Sequence, residues 1–534
     1  MQAQATPNTA AIRLGGWSFY FLAKMLLVWQ ELIGFHPLEN LAFAAFLLAP
    51  IGAPKWRLAR SAVAIPVAIA LLYYDSWLPP VGRVLSQAAM LSNFSTEYLM
   101  DLSARFINWR IVALLVLAWA VMRIAQKHLR VGAFVLAGLV GMAVMPKPGS
   151  APAPASTAVA ATGPATAGGA APVSKDPDTL LKAFYAAEAQ RNVALPQVDA
   201  NGAAFDLVFL HICSLSWDDL EATGLAGHPL WQRMDFLFKR FNSAASYSGP
   251  AAIRINRALC GQGDHASLYK GVSEQCYLLP GLRKAGFASE LALNHDGHFD
   301  DFLQQIRAQG VDVPMQSLAG IGIPQRGFDE SPIYDDLGVL GQWLEKRKTG
   351  RDPRVALYYN SISLHDGNHI VAGPGAKLGI RENYKPRLEK LLDDLDTFLT
   401  QLEKSGRRAV VVVIPEHGAA IRGDKFQIAG LREMATPQVT TVPVGVAVIG
   451  PDLRRQGAPV QVDQPASYLA MSQLIGKLIA QTPYGEAGYV PAKYADGLPV
   501  TRFVSDNEAG ALLEVDGRLM LRQGKEAWRP YPVQ

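Results

Sequence analysis

Two patterns of apolar and polar positions divide the chain. Up to about residue 146 the apolar residues run in long blocks, and five stretches can be read at 16–35, 38–53, 61–80, 109–127 and 131–146. A bilayer asks for roughly 20 consecutive apolar residues, so these stretches predict about five membrane helices, of which the second and fifth are short. Beyond about Pro177, short apolar runs alternate with amphipathic segments, as in a globular α/β domain. Between the two lies "KPGSAPAPASTAVAATGPATAGGAAPVSK", Lys147 to Lys175, which has no period and is almost wholly Ala, Pro, Gly, Ser and Thr. Such a composition buries no core and predicts a linker, able to span on the order of 30 Å if it is a flexible coil. The expected organisation is a transmembrane part at 1–146, a linker at 147–175 and an exported catalytic domain at 176–534.

Within the exported part, three apolar runs end abruptly in groups that can bind metals. "FDLVFLHICSLSWDD", Phe205 to Asp219, stops on His211, Cys213, Ser214 and Ser216. "RVALYYNSISLHDGNH" ends in His365, Asp366 and His369, and "RRAVVVVIPEHGAA" in Glu416, His417 and Gly418. Continuous apolar runs predict strands buried on both faces, and in open α/β sheets ligands gather past the carboxyl ends of such strands. A helix is predicted before the last run, because Leu388, Leu391, Leu392, Leu395, Phe398, Leu399 and Leu402 recur at helical spacing and Gly406 follows as a cap. Ser248 precedes Gly249 and Pro250 and an apolar-periodic run, so it stands at a helix start, where backbone N–H groups point at an anion. A plain serine cap is the alternative use of such a residue. A hydroxyl there, with Cys213, Glu416 and His417 beside it, would suit zinc, which accepts thiolate, carboxylate and imidazole ligands.

Charge and cysteine usage narrow the picture. The formal net charge of +4 is small for 534 residues, and the basic residues form no block with interleaved aromatics, which argues against nucleic-acid binding. Lys55, Arg57 and Arg60 fall between the second and third stretches, Arg123, Lys127 and Arg130 between the fourth and fifth, and Arg13 precedes the first. By the positive-inside tendency those loops are cytoplasmic, the amino terminus is inside and the domain after the linker lies in the periplasm. The loop from Leu78 to Arg110, carrying "LSNFSTEYLMDLSARF", is then outside, either as an amphipathic helix on the membrane surface or as a solvated loop. All three cysteines are in the exported part. In an oxidising compartment Cys260 and Cys276 would close a short polar loop, a bridge contributing about 3 kcal/mol in a chain-entropy model, which leaves Cys213 as the odd thiol.

The order of these features, a first ligand ending a strand, a hydroxyl opening a helix, and an acid-His-Gly ending a late strand, resembles the alkaline phosphatase and sulfatase superfamily. Within it, "CSLSWDD", "NSAASYSGPAAIR", "LHDGNH", "PEHGAAIRGD" and "GLRE" are similar to the cellulose phosphoethanolamine transferases of cellulose-secreting bacteria. Most of the superfamily has an acid at the position of Cys213, and related lipopolysaccharide enzymes have threonine at that of Ser248. The resemblance implies a helical membrane part plus an alkaline-phosphatase-like α/β domain with a mixed or parallel sheet flanked by helices. It implies one zinc site at Cys213, Glu416 and His417, with Ser248 as resting ligand and nucleophile, and with Tyr247, His365 and Arg432 near the phosphate. His365 would be an acid or base, or bind phosphate. "NHDGHFDD", Asn294 to Asp301, leaves room for a second metal. The implied reaction moves phosphoethanolamine from phosphatidylethanolamine to glucose hydroxyls, at O6, of nascent cellulose, beside the cellulose synthase complex at the bacterial inner membrane. Transfer to lipid A or another glycan, hydrolysis, and a non-catalytic scaffold of the synthase are the other readings.

Overall fold

The computed structural model describes residues 14–30, 33–51, 53–76, 94–106, 109–125, 131–144, 176–424, 427–485, 488–524 and 526–531. The linker, most of the loop after residue 76, Arg13, Lys127 and Arg130 lie outside the described residues. The chain falls into two compact units, one of Met1–Ser86 with Leu102–Gly168, the other of Gln87–Asp101 with Gly169–Gln534.

In the first unit, helices run over all five apolar stretches, at Trp17–Trp29, Pro37–Leu48, Pro54–Asp75, Trp109–Ala125 and Val131–Val144. Among the described residues Pro54–Asp75 alone is long and apolar enough to cross a membrane by itself. It begins earlier than residue 61, so Lys55, Arg57 and Arg60 lie on the helix and not in a loop before it. The cause is local: Pro54 occupies the first turn, where its missing N–H costs nothing, and Lys and Arg are good helix formers despite their charge. The first three helices meet around Phe21, Phe43, Leu47, Ala64 and Ala68, together with a buried polar group. Lys24 Nζ is paired with Asp75 and donates to Asn40 Oδ1 at 2.8 Å, while Asn40 Nδ2 donates to Asp75 Oδ2 at 2.8 Å and His36 Nδ1 lies 2.6 Å from Asp75 Oδ1. Polar groups hidden from water hold their place only when paired. Asp75→Ala would leave the buried Lys24 without its counter-charge, and is expected to cost about 3–5 kcal/mol, read as a lowered thermal midpoint of the full chain in detergent.

The second unit is built on a seven-stranded sheet in the order β10-β2-β9-β8-β1-β6-β3. Its strands include β1 (Asp206–Ile212), β2 (Phe236–Asn242), β3 (Ala288–Leu293), β6 (Val355–Ser361), β8 (Ala409–Pro415), β9 (Thr441–Ile449) and β10 (Val460–Val462). β1 pairs in parallel with both β6 and β8, and β9 runs antiparallel to its two neighbours, so the sheet is mixed with one strand reversed. Every residue of β1, β6 and β8 is buried, which is why these strands read as unbroken apolar runs. Leu207 and Phe209 pack on one side with Leu278, Leu282, Leu474 and Leu478, and Val208 and Leu210 on the other with Leu388, Leu391, Leu395 and Phe398. Helices therefore cover both faces, and the leucine-rich helix Tyr384–Lys404, followed by Gly406 at φ +69°, is one of them. Two small sheets complete the unit. One joins β4 (Gln325–Arg326), β5 (Pro332–Ile333) and β7 (His369–Ile370), and the other is a four-stranded antiparallel sheet near the carboxyl terminus. Cys260 and Cys276 form a disulfide with a Cα–Cα distance of 4.9 Å, and Cys213 is a buried free thiol.

Candidate metal centre

The parallel register of β1 and β8 pairs Ile212 with Pro415, so the next residue of each strand, Cys213 and Glu416, leaves the sheet at the same level. Glu416 N donates to Ile212 O at 2.8 Å and Leu215 N to His417 O at 2.6 Å, carrying the pairing one step past the strands. The ligand atoms of Cys213, Glu416 and His417 then lie within 4.8 Å of one another, all buried, as the one such group among the described residues. Ser248 comes from a separate element. It is the first residue of the helix Ser248–Asn256, Tyr247 stands in the cap position, and no side chain caps the helix. The hydroxyl is thus not the plain serine cap that the sequence also allows; it lies 3.3 Å from Cys213 Sγ.

Each ligand is prepared by its surroundings. His417 Nδ1–H donates to Gly418 O at 2.9 Å, which fixes the tautomer and turns the Nε2 lone pair toward Cys213 Sγ, 4.0 Å away. Burial and the Arg432 charge push this imidazole well below its ordinary pKa, so it is neutral. Glu416 Oε1 accepts from Asn360 Nδ2 at 2.7 Å, while Oε2 makes no well-formed hydrogen bond and has Ser248 and Cys213 beside it. Burial raises this carboxyl above its ordinary range. Burial, then the Glu416 charge, pushes the Cys213 thiol up to about 12. A carboxylate oxygen with no well-formed hydrogen bond, an imidazole lone pair and a thiol that cannot ionise alone, gathered together, fit a bound cation, and the mixed donor set suits zinc.

Residues that the motifs did not reveal hold these ligands. Asn360, near the end of β6, donates to Glu416 and to His211 O, and its Oδ1 accepts from His295 Nε2 at 2.9 Å. His295 belongs to the "NHDGHFDD" stretch considered for a second metal; it is buried and committed to Asn360, with Nδ1 accepting from Gly297 N at 3.1 Å. Asp219 ties the other side, accepting from Ala419 N at 2.7 Å and from Ser216 N at 2.9 Å. Gly418 lies so close beneath this carboxylate that a Cβ would come 2.6 Å from Ser216 Oγ and 2.9 Å from Asp219 Oδ2. The sequence signal for Asn360 was a polar residue within an otherwise apolar strand. Groups that orient a metal ligand typically govern affinity by 10- to 100-fold, so Asn360→Leu is expected to weaken zinc binding by about that factor, measured by competition with a chromophoric chelator.

Arg432, buried, donates from Nη1 to Ser214 Oγ at 3.4 Å, and its guanidinium carbon lies 5.9 Å from the Tyr247 ring centre. Tyr247 Oη donates to Glu433 Oε1 at 2.8 Å, and Asn507 Nδ2 braces that loop by donating to Glu433 O and to Ser246 Oγ. His365 is packed between the rings of Phe328 and Phe299, and its Nδ1–H donates to Asp366 O at 2.8 Å. Desolvation, with the Arg432 charge, pushes its imidazole down to about 4, so Nε2 is a free base at neutral pH. The structure thus brings Cys213, Ser248, Glu416 and His417 together, sets Arg432 and Tyr247 beside them, and leaves His365 outside the ligand group; His369 pairs with Glu330 at 3.8 Å.

A family model described as the cellulose biosynthesis protein BcsG C-terminal domain matches residues 162–528, and one described as the BcsG N-terminal domain matches residues 17–144. The chain is 42% identical over 551 residues to cellulose biosynthesis protein BcsG of Salmonella typhimurium, covering 97% of this chain and 96% of that protein. It is 40% identical over 546 residues to the Escherichia coli protein of the same name, with the same coverage. Among solved structures, a protein of the alkaline phosphatase superfamily from Vibrio parahaemolyticus is similar at 15% identity and a TM-score of 0.46, covering 67% of this chain and 91% of that one. The C-terminal periplasmic domain of EcEptC from Escherichia coli is similar at 13% identity and a TM-score of 0.40, covering 59% and 94%. The mixed sheet flanked by helices is the expected fold class, and over nearly its whole length the chain belongs to the cellulose biosynthesis protein BcsG family.

Proposed function

We propose that the chain is a zinc-dependent phosphoethanolamine transferase that moves the group from phosphatidylethanolamine to the O6 hydroxyls of nascent cellulose through a covalent intermediate on Ser248. The observation that carries this is the convergence of a serine hydroxyl at a helix start, 3.3 Å from Cys213 Sγ, on three buried ligand atoms within 4.8 Å of one another. Zinc held by Cys213, Glu416 and His417 would supply a Lewis acid that lowers the pKa of the serine hydroxyl and offsets phosphoryl charge.

The chain's own residues do the rest. Ser248 Oγ attacks phosphorus as the bond to the diacylglycerol oxygen breaks, and the proton that Ser248 gives up leaves on diacylglycerol. Arg432 and the N–H groups at the start of the helix Ser248–Asn256 face the charge that builds on the non-bridging oxygens. In the second step a glucose hydroxyl attacks the phosphoserine, its proton passes to the neutral His365, and Ser248 Oγ leaves and takes that proton back. Tyr247, held by Glu433, would flank the phosphoryl group. The apolar helices, the disulfide and the named relatives support an inner-membrane protein with the amino terminus in the cytoplasm, residues 176–534 in the periplasm and the cellulose synthase complex as neighbour.

The test uses the full chain in detergent with phosphatidylethanolamine, its zinc content measured and a phosphoethanolamine adduct sought on the Ser248 peptide by mass spectrometry. An adduct that appears with donor and is consumed by cello-oligosaccharides is the expected result. A zinc-replete chain that never acquires one would overturn the reading. Phosphorus NMR of cellulose secreted with and without the protein decides the acceptor: an unchanged spectrum points to lipid A or another glycan.

A further inference from the structure

The stretch expected as a surface helix or a solvated loop forms the helix Thr96–Phe106, and its first residues pack within the second unit. Gln87–Asp101, which in sequence lies between the third and fourth apolar helices, groups with the second unit. Ser95 N donates to Phe328 O at 2.9 Å, and the Phe94 and Tyr98 rings lie 5.0 Å and 5.8 Å from the Phe328 ring. Tyr98 and Phe328 are buried in one apolar cluster with Ile380. Tyr98 Oη donates to Asp366 Oδ2 at 2.9 Å. Phe328 in turn packs at a tilt on His365, with ring centres 5.3 Å apart, and Phe299 meets both edge-on. Gly367, at φ +83°, makes room for this contact, since a Cβ there would come 2.9 Å from Tyr98 Cε2 and 2.5 Å from Phe328 Cβ. The turn that carries His365 is therefore gripped from two sides. Arg387 Nη1 donates to Ser363 O at 2.8 Å and to His365 O at 3.1 Å, and Tyr98 holds Asp366.

We propose that Phe94–Tyr98 is a strap that sets the position of His365, with Tyr98 as a positioning residue acting through Asp366 and Phe328. The proposal rests on the reading of His365 as the proton acceptor. It makes a segment from among the apolar helices part of the support of the reaction site.

The experiment takes the full chain in mixed micelles, with a fluorescent phosphatidylethanolamine donor and a cello-oligosaccharide acceptor, and follows kcat, KM, zinc content and thermal midpoint. Tyr98→Phe keeps the ring and loses the hydroxyl; kcat is expected to fall about tenfold with KM within about twofold and zinc and midpoint as in the parent. Tyr98→Ala, which also loses the packing on Phe328, is expected to lose about a hundredfold. Combining Tyr98→Phe with Asp366→Ala should give no more loss than the worse single change, because both break one contact. An unchanged kcat in both Tyr98 variants, or a fully additive double variant, overturns the strap. His365→Ala separates the two ideas. If it is inactive while the Tyr98 variants match the parent, the strap fails and the reading of His365 stands; if it works at the parental rate, both fall.

Discussion

Ser248→Ala is expected to lower the rate of phosphoethanolamine transfer on the order of ten-thousand-fold or more while the chain keeps its zinc. The change removes a hydroxyl that faces the ligand group, and its Oγ caps no helix, so the helix Ser248–Asn256 loses no capping hydrogen bond. Cys213, Glu416 and His417 remain, each also held by a partner other than Ser248: Ser361 O for the Cys213 N–H, Asn360 for Glu416 and Gly418 O for His417. The measurement is the rate of diacylglycerol release alongside zinc content and the mass of the Ser248 peptide. Ser248→Thr keeps the hydroxyl and adds a methyl at a half-buried position, and should retain part of the activity. Transfer at the parental rate in Ser248→Ala would dispose of the covalent route, and a joint loss of zinc and folding would show Ser248 to be structural.

What could be read from the chain and what could not follows from range. The strands ending at Ile212 and Pro415 were legible because a parallel strand buried on both faces needs an unbroken apolar run, and the change to Cys, Glu and His marks where it ends; the third run was expected to reach His365, whereas its strand stops at Ser361. The leucine-rich helix was legible from its period. The reversed direction of β9 was not, because an apolar run carries no sign of the direction in which its neighbours run. Nor was the start of the third apolar helix, since hydropathy registers Lys55, Arg57 and Arg60 as a break while the backbone does not.

The same limit governs the site. Glu-His-Gly is a local pattern, and three residues suffice to see it. Asn360 holding Glu416, Asp219 holding the loop after Gly418, and Tyr98 holding Asp366 are pairings between segments 56, 200 and 268 residues apart. Each of these residues is ordinary where it stands in the sequence and acquires its role only when the sheet and the loops around it are assembled. The "NHDGHFDD" stretch shows the converse: His295 has the chemistry of a ligand, and the fold uses it to orient the amide that orients one.

The second large effect is expected at the strand end itself. Cys213→Ala should cost the chain its zinc, with affinity falling by at least a hundredfold, and most of its activity, while the Cys260–Cys276 disulfide still forms. The pH dependence identifies the cause. Without a metal, burial and the neighbouring Glu416 charge push the thiol up to about 12, so at neutral pH it carries its proton and must release it when a cation binds. Proton release favours binding as pH rises: for this one group, apparent zinc affinity should increase about tenfold per pH unit throughout the range below the thiol pKa. Any proton lost by Glu416 or Ser248 adds to that slope. Cys213→Ala removes one proton from the balance, so the slope of log affinity against pH should fall by about one unit between pH 6 and 8. Zinc titrations of the two full chains at three pH values measure it. A variant that keeps the parental slope would mean that the thiol never gives up its proton, and Cys213 would then be a buried neighbour of the metal and not its ligand.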